Sequence, residues 1–166
     1  MRGGTVRQTT MIAAATALLA LCAGSGAAQL GTRKALTLEA ARRAAAAAEE
    51  YARSNRWNVA ITILDESGQM VYFARMDGVQ LGSIEVSRRK AESALKFRRP
   101  SKAFAERVLK EPHAAAIPGA FPYEGGLPLL HGGDVVGAIG VSGATNEQDG
   151  MAAGAGAAAV AGLMVK

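Results

Sequence analysis

Two pairs of short, alternating apolar runs, each pair closed by a tight turn, constrain this chain more than any other feature. In the first pair, Val59, Ile61 and Ile63 alternate with Ala60, Thr62 and Leu64 between Asn58 and Leu64. Asp65-Glu66-Ser67-Gly68 then turns the chain into a second run from Met70 to Met76. In the other pair, Leu127–His131 and Val135–Val141 flank Gly132-Gly133-Asp134. Hairpins this tight leave no room for crossover helices, so the strands must pair antiparallel. The near-absence of polar residues from the first pair predicts a hairpin covered on both faces.

Helical signals surround the hairpins. Thr37 is a good N-cap for an Ala-rich helix reaching about Asn55, with Leu38, Ala41, Ala45, Ala48 and Ala52 on one narrow face. Ser83 is the expected cap of a second helix ending near Arg99. Pro100 breaks it, and Ser101 is the expected cap of a third through Lys110. Residues 111–126 hold Pro112, Pro118 and Pro122 and read as a loop with space for one short edge strand. Asn146–Val165 closes the chain as a helix. Its Met151–Val165 portion is apolar but short and built of Ala and Gly, which suits close packing on a sheet rather than a bilayer span. The order α-β-β-α-α-(β)-β-β-α predicts an α+β domain with helices against an antiparallel sheet.

The N-terminus has another character. Arg2 and Arg7 precede an apolar run from Met11 to Ala23, followed by small residues to Ala28. That order is a secretory signal peptide, expected to be cleaved after Ala28 and to leave residues 29–166 as a single domain outside the cytoplasm, periplasmic or extracellular. Cys22 follows Leu21 rather than a small residue, which argues against a lipid anchor. No adjacent Arg pair precedes the apolar run, which argues against twin-arginine export. Cys22 is the only cysteine, so the processed chain has no thiol chemistry and no Cys-based metal site.

Composition removes further classes. The net charge of +5 falls to +3 once Arg2 and Arg7 are removed with the leader, and that charge spread over mixed-sign helices, with 5% aromatic residues, is a poor basis for a nucleic-acid surface. Two histidines cannot supply a His-rich zinc site. Walker, nucleophile-elbow and HExxH motifs are absent. Gly137, Gly140 and Gly143 read as glycines where backbones meet, not as a dinucleotide loop.

A series of short motifs then occurs in one order: Thr37-Leu38-Glu39-Ala40-Ala41, Phe73-Ala74-Arg75-Met76-Asp77-Gly78, Lys90-Ala91, Phe97-Arg98-Arg99-Pro100-Ser101, Ile117-Pro118-Gly119, Gly125-Gly126-Leu127-Pro128 and Val136 to Gly143. Together they resemble the GlcG/HbpS-like heme-binding family, which includes the C-terminal domain of PduO-type proteins. The resemblance implies a five-stranded antiparallel sheet flanked by helices, similar to a profilin- or PAS-like layout, and assembly into homo-oligomers. It also implies heme as cofactor, held by an exported protein acting as carrier, scavenger or accessory to a sensor protein, without catalytic turnover of its own.

A heme site asks for an apolar slot, cations for the propionates and often an axial ligand. His113, in its Pro-flanked loop, is the candidate iron ligand, whereas His131 beside its turn is expected at an exposed edge. Lys90 and Arg98, eight residues apart on the second helix, are expected on one face as an anion site. Phe97, Met76 and Tyr123 would form the apolar wall, and Gly125 and Gly126 would let backbone N–H groups approach. The alternative is an enzyme or binding protein for a small carboxylate or aldehyde, using the Lys90/Arg98 face and the Gly125-Gly126 loop, and the resemblance links such a protein to glycolate or diol metabolism. Small-residue faces on the first and closing helices are expected to draw stability from subunit packing.

Overall fold

The computed structural model describes residues 32–163. The expected leader and its cleavage point therefore lie outside the described residues. Helix α1 (Leu38–Ser54) opens where Thr37 accepts a hydrogen bond from the Ala40 N–H and buries a stripe of Ala41, Ala44, Ala45, Ala48 and Ala52. It ends with Arg56 in the left-handed region (φ 61°), while the Trp57 N–H returns to the Ala52 carbonyl.

Strands β1 (Ala60–Asp65) and β2 (Met70–Arg75) form the first hairpin, with β3 (Gly126–His131) and β4 (Asp134–Ser142) forming the second. The sheet order is β2-β1-β4-β3, antiparallel throughout. Both turns follow from their residues. The Asp65 carboxylate accepts the Ser67 and Gln69 N–H groups. His131 pairs with Asp134 across Gly132 and Gly133, both at positive φ, so the second turn has two central residues rather than three.

Among the described residues the sheet has four strands, not five. The region expected to offer an edge strand is a 3-10 helix (Pro112–Ala116) and an irregular loop instead. Pro112, Pro118 and Pro122 lack the N–H groups that a ladder requires. The first hairpin is also covered less evenly than its composition suggests. Strand β1 is buried almost throughout, whereas β2 is an edge strand with half-exposed side chains.

Helices α1 and α4 (Asn146–Ala161) pack on one face of the sheet and α2 (Gly82–Phe97) on the other. Helix α4 stops at Ala161, short of the expected Val165, and Gly162 follows as its C-cap. Gly156 lets α4 sit against α1, because a Cβ there would meet the Ala44 carbonyl oxygen at 2.7 Å. Helix α3 is Lys102–Lys110. Among the described residues, no helix is long and apolar enough to cross a membrane.

The two expected serine caps do different work. Ser83 lies inside α2, where its hydroxyl is buried and has no partner among the described residues. Ser101 donates from its hydroxyl to the Tyr123 carbonyl (2.6 Å) and accepts from the Gly126 N–H (2.9 Å), stitching the start of α3 to the loop ahead of β3. All three spaced glycines of β4 and its exit are places of close approach, as expected. A Cβ at Gly140 would strike the Ser87 carbonyl, at Gly137 the Leu64 carbonyl, and at Gly143 the Asn58 carbonyl.

Candidate functional site

Lys90 does not lie on a solvent-facing stripe with Arg98. Only 1% of it is exposed, and its Nζ donates to Asp149 Oδ2 at 2.7 Å. Eight helical residues place two side chains about 80° apart. Arg98 moreover leaves the helix in the left-handed conformation (φ 52°), exposed to solvent. The eight-residue spacing therefore sends one cation inward and the other outward.

Gly125 and Gly126 explain how a lysine on one face of the sheet reaches an aspartate on the helix of the other. A Cβ on Gly125 would stand 3.0 Å from Lys90 Cδ and 2.9 Å from Asp149 Cβ, and one on Gly126 would run into the Lys90 carbonyl. The glycine pair leaves the passage through which the lysine stem runs around the start of β3. Asp149 is anchored from its other oxygen, Oδ1, which accepts the Ala144 N–H at 3.0 Å. Burial pushes the Lys90 ammonium below its ordinary pKa and the Asp149 carboxyl above its own, and their mutual attraction pulls each back. Asp149 was absent from the sequence-derived candidates. Its signal was its position: it shares a helical face with Ala152, Ala153, Gly156 and Val160, all buried.

The remaining candidates fall in two places. Met76 packs against the apolar core that α1 and α4 form on the sheet. Phe97 makes an edge-on pair with Phe104 (centroids 4.6 Å), over which Arg99 stands at 5.9 Å. Tyr123 pairs with Phe121 (4.9 Å), and the Arg89 guanidinium lies 4.4 Å over the Phe121 ring. Ser93 holds that loop by accepting the Phe121 N–H. His113, on the 3-10 helix after α3, has its side chain 80% exposed, with Nε2 3.7 Å from a Glu111 carboxylate oxygen. His131, half-buried at the end of β3, accepts Lys34 Nζ on its backbone carbonyl. Among the described residues no cluster of three His, Cys, Asp or Glu side chains could hold a bare metal ion.

Residues 36–158 match the protein family described as haem degrading protein HbpS-like. The protein GlcG of Escherichia coli K12 is 35% identical over 112 residues, covering 67% of this chain and 84% of GlcG. Among solved structures, a double mutant of Streptomyces reticuli HbpS superposes with a TM-score of 0.72 at 36% identity, over 82% of this chain and 96% of that one. The structure of a PduOC:heme complex superposes with a TM-score of 0.69 at 26% identity, over 76% and 96% of the two chains.

Proposed function

This chain belongs to the HbpS-like family, and from that premise we propose that it is an exported heme-binding protein. The observation that carries the reading is the extent of the likeness: the family match runs from residue 36 to residue 158, through every described helix and strand but the last turn of α4. Residues of the kinds that heme requires are present. Heme asks for an axial donor, cations for its carboxylates and flat apolar surface. His113 offers an exposed imidazole on a short helix. Arg98 is an exposed residue next in the chain to Phe97, and Tyr123 is 47% exposed at the second aromatic pair. These residues would hold heme. Lys90 and the Gly125-Gly126 turn are buried in the fold, and Met76 packs against the apolar core on the sheet. Bound heme supplies an iron centre that takes axial ligands and exchanges electrons. The chain's own residues orient it and neutralise its propionates.

Titration of residues 29–166 with hemin is expected to give a saturable Soret shift, and no shift at micromolar hemin would overturn the proposal. His113→Ala is expected to change that spectrum, whereas His131→Ala leaves it as it is.

We place the working protein outside the cytoplasm, after removal of residues 1–28, as a homo-oligomer. The small-residue faces of α1 and α4 are used up against each other and the sheet within one subunit, and the little apolar area they bury there supports a need for further burial between subunits at other surfaces. Light scattering after size exclusion is expected to show one discrete dimer or closed multiple. A sharp monomer peak would overturn the assembly.

A further inference from the structure

Away from the residues assigned to heme, three segments cross where the sheet ends: the exit of α1, the link from β2 to α2, and the passage from β4 into α4. Between them lies an open pocket of about 420 Å³, within the size range of small-molecule sites. Its lining includes Arg56, Trp57, Asn58, Gln80, Gly143 and Gln148, and among the described residues no acidic side chain. None of the proposed heme residues lines it.

The backbone is shaped to bring these groups together. Gly143 (φ 151°) lets the chain leaving β4 press on the Asn58 carbonyl. A Cβ at Gly78 would come within 3.2 Å of the Asn58 amide nitrogen. Arg56 occupies the left-handed position just past the end of α1, where glycine is the usual and cheaper residue. A bulky cation there costs backbone energy, and among the described residues its guanidinium makes neither an ion pair nor a hydrogen bond that would compensate. At the opening of α4 the Thr145 and Gln148 N–H groups are already engaged in a capping box.

We infer that this pocket binds a small organic monocarboxylate, with Arg56 taking the carboxylate, the amides of Asn58, Gln80 and Gln148 bonding to a hydroxyl or carbonyl on the ligand, and the Trp57 ring forming the apolar wall. One cation in a lining that, among the described residues, holds no carboxylate matches a single negative charge, and a planar guanidinium matches a carboxylate in two parallel hydrogen bonds. The amides select for a further polar group, and the indole selects for an apolar body.

Trp57 is the only tryptophan in the chain, so its fluorescence reports on this pocket alone. The probe is 3-phenyllactate, which carries a carboxylate, a hydroxyl and a ring, with neutral 3-phenyllactamide as control. A saturable fluorescence change with the acid and none with the amide is expected. Arg56→Gln is expected to weaken binding by about tenfold to a hundredfold, the worth of a hydrogen bond to a charged group. Arg56→Gly is expected to abolish binding while leaving the melting temperature unchanged or raised, because glycine relieves the left-handed backbone. Both variants should keep the wild-type hemin titration, which separates this site from the heme proposal. No response to the acid at about 10 mM, equal response to acid and amide, or undiminished binding by Arg56→Gly would each overturn the inference.

Discussion

On one face of the sheet, Ile61, Ile63, Ile139 and Val141 meet the alanines of α1 and α4. On the other, Thr62, Leu64, Ala138 and Gly140 meet α2, whose buried residues are Ser83, Ser87, Lys90, Ala91, Ser93 and Ala94. The first face is held by apolar area, which is non-directional and tolerates small rearrangements. The second buries little hydrocarbon and depends on a salt bridge, a hydroxyl pair and helix-to-strand contact at glycine. Those interactions are directional, so α2 has one seat on the sheet. The heme proposal uses this rigidity, because Phe97, Arg98 and the Tyr123 loop extend from α2 and its partners.

The largest effect is expected from Lys90→Met. It strands a buried carboxylate at Asp149 and should cost about 3–5 kcal/mol in urea unfolding. Burial opposes the charged form of both groups, so Lys90→Met combined with Asp149→Leu should recover most of that loss. If the single variant is as stable as wild type, the α2 face is not organised by this pair.

Glycine contacts give the next contrast. Gly140→Ala drives a methyl group into the Ser87 carbonyl and should cost about 1–3 kcal/mol by lifting α2. Gly154→Ala, on α4 with open space around it, should instead raise stability by about 0.5–1 kcal/mol through helix propensity. Equal melting temperatures for these two variants would erase the distinction between the faces.

The smallest effect concerns the hydroxyls. Thr62 Oγ1 lies 2.9 Å from Ser87 Oγ, which donates onward to the Ile84 carbonyl. Thr62→Val should cost about 1 kcal/mol, and adding Ser87→Ala should cost little more, since removing both partners leaves fewer unsatisfied groups than removing one. A thermal double-mutant cycle with no coupling would show that the pair contributes nothing.

Much of the fold was legible because its signals are local. The Thr37 cap, the alanine stripe of α1 and the Gly132-Gly133 turn each express their structure within a few residues. Ser83 falls inside α2 rather than at its cap, and Ser101 stands at the N-cap of α3 but makes no side-chain cap bond. A serine ahead of a helix resembles a cap until a distant partner, such as the Tyr123 carbonyl 22 residues away, claims its hydroxyl. The candidate site was legible in part. Phe97, Arg98, Tyr123 and His113 remain at or near the surface, but Lys90 does not, since spacing along a helix does not say whether a lysine points outward or into a glycine-lined passage.

By itself the sequence determined the two hairpins, the capped helices around them and hence an antiparallel α+β domain, because turn chemistry and side-chain periodicity act over a handful of residues. Tertiary structure decided that four strands suffice, that Gly125 and Gly126 serve a lysine, and that Arg56, Asn58, Gln80 and Gln148 converge on one pocket. Lys90 and Asp149 stand 59 residues apart in the chain and 2.7 Å apart in the fold. The favourable energy of such a contact exists only once the sheet has brought both helices to its end and excluded water from between them.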